Sequence, residues 1–152
     1  MKVFIGADHR GFLLKKEILE LLRSLGHEAE DMGSYEEGRI CDYPEISYKV
    51  ATSVAKNPGS RGILICMTGL GHAIAANKVP GAYAALCYNA QAAVLSREHN
   101  NANILVLGAQ FVSVKDMKTI VNVWLATDFA GGRHARRVEQ IQDIEKKFLK
   151  VS

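Results

Sequence analysis

The chain is short of the features that would mark it for a membrane, an oxidising compartment or a nucleic acid. No apolar run approaches the ~20 residues that a membrane helix needs, and residues 2–7 open on a strand pattern instead of a secretory leader. Its three cysteines, Cys41, Cys66 and Cys87, are odd in number, widely separated and without C-x-x-C spacing. That argues against a disulfide framework or structural zinc and for free thiols in a cytoplasmic setting. The formal charge is only +3, and no Lys/Arg-rich run is interleaved with aromatics, so no nucleic-acid partner is expected. Internal repeats, low-complexity segments and linkers are also missing. With 152 residues, the expectation is one domain over 1–152 with a core of its own.

What is there is organised around residues 61–78, RGILICMTGLGHAIAANK. Residues 62–66 form an apolar run with two isoleucines, bounded by glycine, as a buried strand would be. Residues 67–71 make a tight, glycine-containing turn, and an Ala-rich helix follows over 70–78. A strand turning through glycines into a helix aims several backbone N–H groups at one point, a site for an anion or a developing oxyanion. Cys66 stands at its lip.

Around this stretch, strand patterns at 2–7, 27–31, 82–87 and 104–107 alternate with helical periodicities over 12–25, 43–56, 90–98, 114–127 and from about 134 to 149. Gly26 stops the first helix, whose lysines and glutamates are expected on the face opposite its leucines. Pro44 suits the first turn of the second helix, and Asn57-Pro58-Gly59 ends it. Met117, Ile120, Val121, Trp124 and Leu125 mark the apolar side of the fifth helix. Such alternation implies a Rossmann-like, three-layer α/β/α sandwich around a five-stranded parallel sheet. Ligands of such sheets bind beyond the carboxyl ends of the strands, where Asp8, His9, Cys66, Met67, Thr68, Tyr88, Asn89 and Gln110 fall. His99 and Asn100 follow a helix instead, so their use in the same site would need a second subunit.

Each candidate has a structural reading beside its chemical one. Asp8 and His9 are either a helix cap with a solvated imidazole or an ionisable pair at the site. Cys66 is a small core residue, or a thiol whose pKa the helix N-terminus depresses. Thr68 caps the following helix or steers a proton. Gly69 and Gly71 mimic only part of a dinucleotide-binding fingerprint, with Met67 in the place of its first glycine. His99 and Asn100 can be a polar helix end with Asn in a left-handed cap. Arg133, Arg136 and Arg137 can be a solvated face, yet Arg133 and Arg137, one turn apart, suit a phosphate clamp.

The order of these motifs, DHRGFLLK, DYP at 42–44, ILICMTGLGHAIAANK, SREHNNANILVLG at 96–108 and GGRHARRVEQI at 131–141, resembles the ribose-5-phosphate isomerase type B family, whose relatives include the galactose-6-phosphate isomerase subunits. The resemblance implies an aldose–ketose isomerase of the pentose phosphate pathway, interconverting ribose 5-phosphate and ribulose 5-phosphate through a cis-enediolate without metal or cofactor. It implies Cys66 as the base, with Thr68 assisting, and His99 opening the furanose ring. Asp8 would contact the sugar, and the N–H groups of Met67, Thr68, Gly69, Leu70 and Gly71, with Asn100, would hold the enediolate. His9, Arg133 and Arg137 would bind phosphate, and Tyr43 would line the pocket. It further implies a homodimer or tetramer with sites shared between subunits, the C-terminal helix reaching to the partner. Three positions depart from the family pattern: Met67 for glycine, His72 for a small or apolar residue, and Gln110, also at the substrate site, for a phosphate-directed arginine. They keep open a different aldose or a hexose 6-phosphate as substrate, and a non-catalytic sugar-phosphate sensor as the alternative class.

Overall fold

The computed structural model describes residues 1–149; the last three residues of the expected domain lie outside them. The elements alternate as expected: β1 (Lys2–Ala7), α1 (Phe12–Ser24), β2 (Glu28–Asp31), α2 (Tyr43–Lys56), β3 (Arg61–Cys66), α3 (Leu70–Ala76), β4 (Ala84–Leu86), α4 (Ala90–Glu98), β5 (Ile104–Gly108), α5 (Val114–Ala126) and α6 (Arg133–Phe148). α3 and β4 are shorter than their sequence patterns. After Ala76 the N–H groups of Lys78 and Val79 bond three residues back, to Ala75 and Ala76, which closes the helix in tight turns. Among the described residues no helix is long and apolar enough to cross a membrane.

All five strands are parallel, in the order β2-β1-β3-β5-β4. Strand alternation divides the apolar residues between two cores. Val3, Ile5, Ile63, Ile65, Leu105 and Leu107 face α1, α4 and α5, packing on Ile18, Leu22, Met117, Val121 and Trp124. Phe4, Leu64, Ile104 and Val106 face α2 and α3, packing on Ile46, Val50, Val54 and Ala76. With helices on both faces, every central strand is buried twice, which is why these strands are nearly continuous runs of branched residues. The chain leaves β1 outward to β2 and returns to β3 on its other side. The carboxyl ends of β1 and β3 therefore flank the point where winding direction reverses, with Ala7 paired to Ile65 and Cys66 to Gly108.

α1 departs from its expected polarity. Lys15 is 0% exposed and points inward, where its ammonium donates to Asp31 Oδ1 at 2.8 Å and to the Ser34 carbonyl. The rings of Phe12 and Tyr35 lie 5.2 and 5.6 Å from it. Amphipathic spacing misses this because a long lysine on the apolar face is stabilised by a carboxylate from another element. The C-terminus of the helix follows the expectation: the N–H groups of Gly26 and His27 return to the carbonyls of Arg23 and Leu22.

At the opposite, amino edge of the sheet, Arg61 and Arg97 are both buried. Arg61 Nη1 donates to the carbonyls of Trp124 and Leu125, and Arg97 to those of Thr127 and Ala102. Two guanidiniums thus complement the carbonyl ends of α4 and α5 and hold them side by side.

The Lys15–Asp31 pair has a measurable consequence. Removing one partner of a buried pair strands the other charge at a cost of about 3–5 kcal/mol; because the Asp31 side chain is 30% exposed, Asp31→Ala should cost less, about 2–3 kcal/mol. Urea unfolding checks this. Adding Lys15→Met should recover part of the loss; a loss below about 0.5 kcal/mol would mean the pair is idle.

Candidate active site

The turn between β3 and α3 is fastened from outside. The carbonyls of Cys66, Met67 and Thr68 accept, in order, the Ala109 N–H at 2.8 Å, the Gln110 N–H at 2.8 Å and the Tyr88 O–H at 2.8 Å. In a trans peptide the N–H of the next residue points opposite the carbonyl. Holding these three carbonyls therefore turns the N–H groups of Met67, Thr68 and Gly69 away from β5. The Gly69 N–H reaches the Cys66 sulfur at 3.1 Å. Gly69 itself has φ +86°, and a Cβ there would lie 2.4 Å from Leu86 Cδ1, so only glycine closes this turn. A Cβ at Gly71 would meet the Tyr43 ring at 2.5 Å, which is how closely Tyr43 covers the turn. Thr68 Oγ1 accepts the Leu70 N–H at 3.2 Å, so it braces the first turn of α3, although Gly69 holds the cap position. The side chain of Met67 stands exposed beside it.

Asp8 is buried at the end of β1, with Oδ1 accepting the N–H groups of Arg10 and Gly11 at 2.9 and 3.2 Å. His9, beside it, is half-buried, with Nδ1 3.5 Å from the Cys41 N–H. The Cys66 thiol does not follow the expectation of a depressed pKa. Burial pushes it up, and the Asp8 carboxylate adds to that; the N–H groups of Gly69, His72 and Thr68 pull the other way without prevailing. At 6% exposure the loss of hydration outweighs three backbone dipoles.

His72 lies beneath the turn, 0% exposed. Its Nδ1 shares a 2.6 Å hydrogen bond with Ser47 Oγ on α2, and its ring meets Tyr43 edge-on at 5.9 Å. Nε2 has no partner among the described residues. Burial drives its pKa down to about 4, against weaker opposing effects of Asp8 and the Ile65 carbonyl.

His99, Asn100, Arg133 and Arg137 are not in this cluster. Asn89, beyond the carboxyl end of β4, caps the start of α4 with its side chain, and His99 is the cap at the other end. From there the chain enters β5 at the amino edge, where Asn103 O accepts the Gly62 N–H. The six residues of β3 separate the two edges by about 17 Å at 3.3 Å per residue. At the amino edge His99 stacks on His134 of α6, with centroids 4.1 Å apart and planes 12° from parallel. The Glu98 carbonyl accepts the Ala130 N–H, and Arg133 and Arg137 are exposed on the first turns of α6. The left-handed residue after α4 is Asn101, φ +51°, not Asn100, because helical backbone continues through His99 and Asn101 N–H still reaches the Arg97 carbonyl.

Three residues that carry this geometry drew no specific role from the sequence. Tyr88 follows a strand, with nothing in its sequence context to assign it a partner, and its hydroxyl fastens the turn. Ser47 is one buried hydroxyl in a helix. His134 sits inside the GGRHARR run, where the arginines dominate the pattern.

The family model for ribose/galactose isomerases matches residues 3–141. Ribose-5-phosphate isomerase B of Escherichia coli is 44% identical over 96% of this chain and 97% of its own. The solved structure of ribose-5-phosphate isomerase B from Clostridium thermocellum matches with a TM-score of 0.94 at 50% identity, covering 97% of this chain and 99% of that one. The Mycoplasma genitalium enzyme of the same name, solved with bound ribulose-5-phosphate, matches with 0.93 at 42%, covering 96% and 97%.

Two pH measurements check the electrostatics. Because the Asp8 carboxylate raises the thiol pKa, Asp8→Asn should move the midpoint of Cys66 alkylation by iodoacetamide to lower pH; a midpoint that stays or rises would contradict the assignment. For His72, the unfolded chain takes up its proton near pH 6.5 and the folded chain only near 4, so stability is lost as pH falls through that window. The loss should reach about 3 kcal/mol, and His72→Leu should flatten it. Equal pH dependence of urea midpoints in both proteins would refute a neutral buried imidazole.

Proposed function

The chain belongs to the ribose/galactose isomerase family, whose members are aldose–ketose isomerases, and we propose that it interconverts ribose 5-phosphate and ribulose 5-phosphate at sites built from two subunits. The observation that carries this reading is the division of one chain's candidate residues. A thiol under directed N–H groups lies at the carboxyl edge, and an imidazole with two arginines lies at the amino edge. Each half is chemically incomplete, and a second copy supplies what the first lacks. α6 supports it, since Ile141, Ile144 and Phe148 leave an apolar ridge exposed along the same helix.

In this reading His9 of one subunit, with Arg133 and Arg137 of the partner subunit, binds the phosphate dianion. His99 of the partner subunit donates a proton to the furanose ring oxygen as the C1–O bond breaks and the 1-hydroxyl loses its proton, giving the open aldehyde. The Cys66 thiolate then takes the C2 proton. The electron pair left behind forms the C1–C2 double bond, and charge moves to O1, where the N–H groups of residues 67–71 and Asn100 of the partner subunit receive it. Passage of the O2 proton towards O1, assisted by Thr68, and return of the thiol proton to C1 complete the ketose. Asp8 and Tyr43 orient the sugar. No metal or cofactor enters any step. The raised thiol pKa of the isolated chain fits this scheme, because cations of the partner subunit closing over the site favour the thiolate. Exposed Met67 and the neutral Gln110 at the rim keep other aldoses and hexose 6-phosphates as the second reading.

Subunit mixing tests it. Cys66→Ala and His99→Ala proteins should each lose at least about 100-fold in kcat. Randomly mixed dimers should recover about a quarter of wild-type activity, since half of them carry one intact site of two. No recovery in verified mixed dimers would put both residues in one subunit's site, and a wild-type protein inert towards ribose 5-phosphate but active on another aldose in a substrate panel would move the substrate assignment.

A further inference from the structure

The stacked histidines at the amino edge contain one residue that the proposed reaction leaves unused. His99 closes α4, His134 is the second residue of α6, and their rings lie 4.1 Å apart at 12°. Within the described residues, the hydrogen bonds of His99 and His134 run through the backbone N–H groups, to Leu95 and Gly131, and none holds either ring. The stack is therefore the contact that sets the plane of the His99 imidazole. Two rings this close disfavour a second proton once the first is bound. Partial burial, then the charges of His99, Arg133 and Arg137, hold His134 below the usual histidine range, with Glu98 of α4 opposing.

We propose that His134 is a positioning residue for the ring-opening step: its imidazole stacks on His99 and fixes the plane in which that ring meets the furanose oxygen. This deepens the isomerase reading and rests on it. The loop 128–132 serves the same end. Its Ala130 N–H is tied to the Glu98 carbonyl at 3.0 Å, which sets the start of α6 beside the end of α4, so the stack follows from backbone contacts and not from chance meeting of two exposed side chains.

The role separates from phosphate binding and from enediolate chemistry because one substrate needs no ring opening. Ribulose 5-phosphate carries its phosphate on the C5 oxygen, cannot close a furanose and stays open-chain. Exchange of its C1 hydrogen with deuterated solvent uses the Cys66 step alone. The experiment compares wild type, His134→Ala and His134→Phe in full-length protein, measuring kcat and KM for ribose 5-phosphate and, by NMR, deuterium entry into ribulose 5-phosphate. The alanine variant should lower kcat for ribose 5-phosphate about tenfold, with KM and deuterium exchange within about twofold of wild type. Phenylalanine, a flat ring that never takes a proton, should restore kcat to within about twofold. Unchanged turnover in His134→Ala, exchange falling in step with turnover, or a phenylalanine variant as impaired as alanine would each overturn the proposal while leaving the isomerase reading intact. A wild-type protein that neither turns over ribose 5-phosphate nor exchanges ribulose 5-phosphate would remove that reading and the proposal with it.

Discussion

Three consecutive carbonyls, those of Cys66, Met67 and Thr68, cannot turn inward because Ala109 and Gln110, just after β5, and Tyr88 hold them outward. Everything chemical at the carboxyl edge depends on that. A peptide plane has two faces, and fixing the acceptor on one side commits the donor to the other. The turn therefore arrives with its N–H groups already aimed, at no reorganisation cost when negative charge develops. Gly69 makes the closure sterically feasible, and Tyr43 limits the space above it. The parallel sheet contributes by bringing β1, β3 and β5 into register, so that Asp8, Cys66 and Gly108 end at one level.

The same sheet sets a limit. Helices between parallel strands must run back to the amino edge, and whatever ends a helix ends far from whatever ends a strand. His99 ends a helix. In one chain it is about a strand's length from Cys66, and no side-chain rotation closes that gap. A fold of this kind can use both edges in one site only by association. The single chain leaves apolar residues of α6 exposed and the Cys66 thiol pKa raised by burial. The buried arginines at the amino edge tie α4 to α5 beside His99.

Much of this was legible in the residues. The apolar positions of α5, from Met117 to Leu125, are all buried as their spacing implies, and the limits of α2 and α4 follow from Tyr43-Pro44 and from Asn89. The turn itself could be read from its glycines. Other features escaped because they are settled between elements. Lys15 lies on an apolar face because Asp31, from the neighbouring strand, meets it there. Cys66 sits at a turn rich in N–H groups, yet burial controls its pKa, and burial is set by what packs from elsewhere. His72 departs from the family pattern in the residues of the turn, and the fold binds it to Ser47 below the site.

The sequence by itself determined which residues form strands, which form helices and which types of side chain stand at the strand ends, since periodicity and turn chemistry are local. Five strand runs, three of them buried, separated by amphipathic helices leave a parallel sheet as the solution that satisfies their backbone groups. Only the tertiary structure decided how those residues meet: the outward-held carbonyls, the desolvated thiol, the stack of His99 on His134 and the separation of the two edges. These are properties of distance and burial, and both depend on residues remote in the chain.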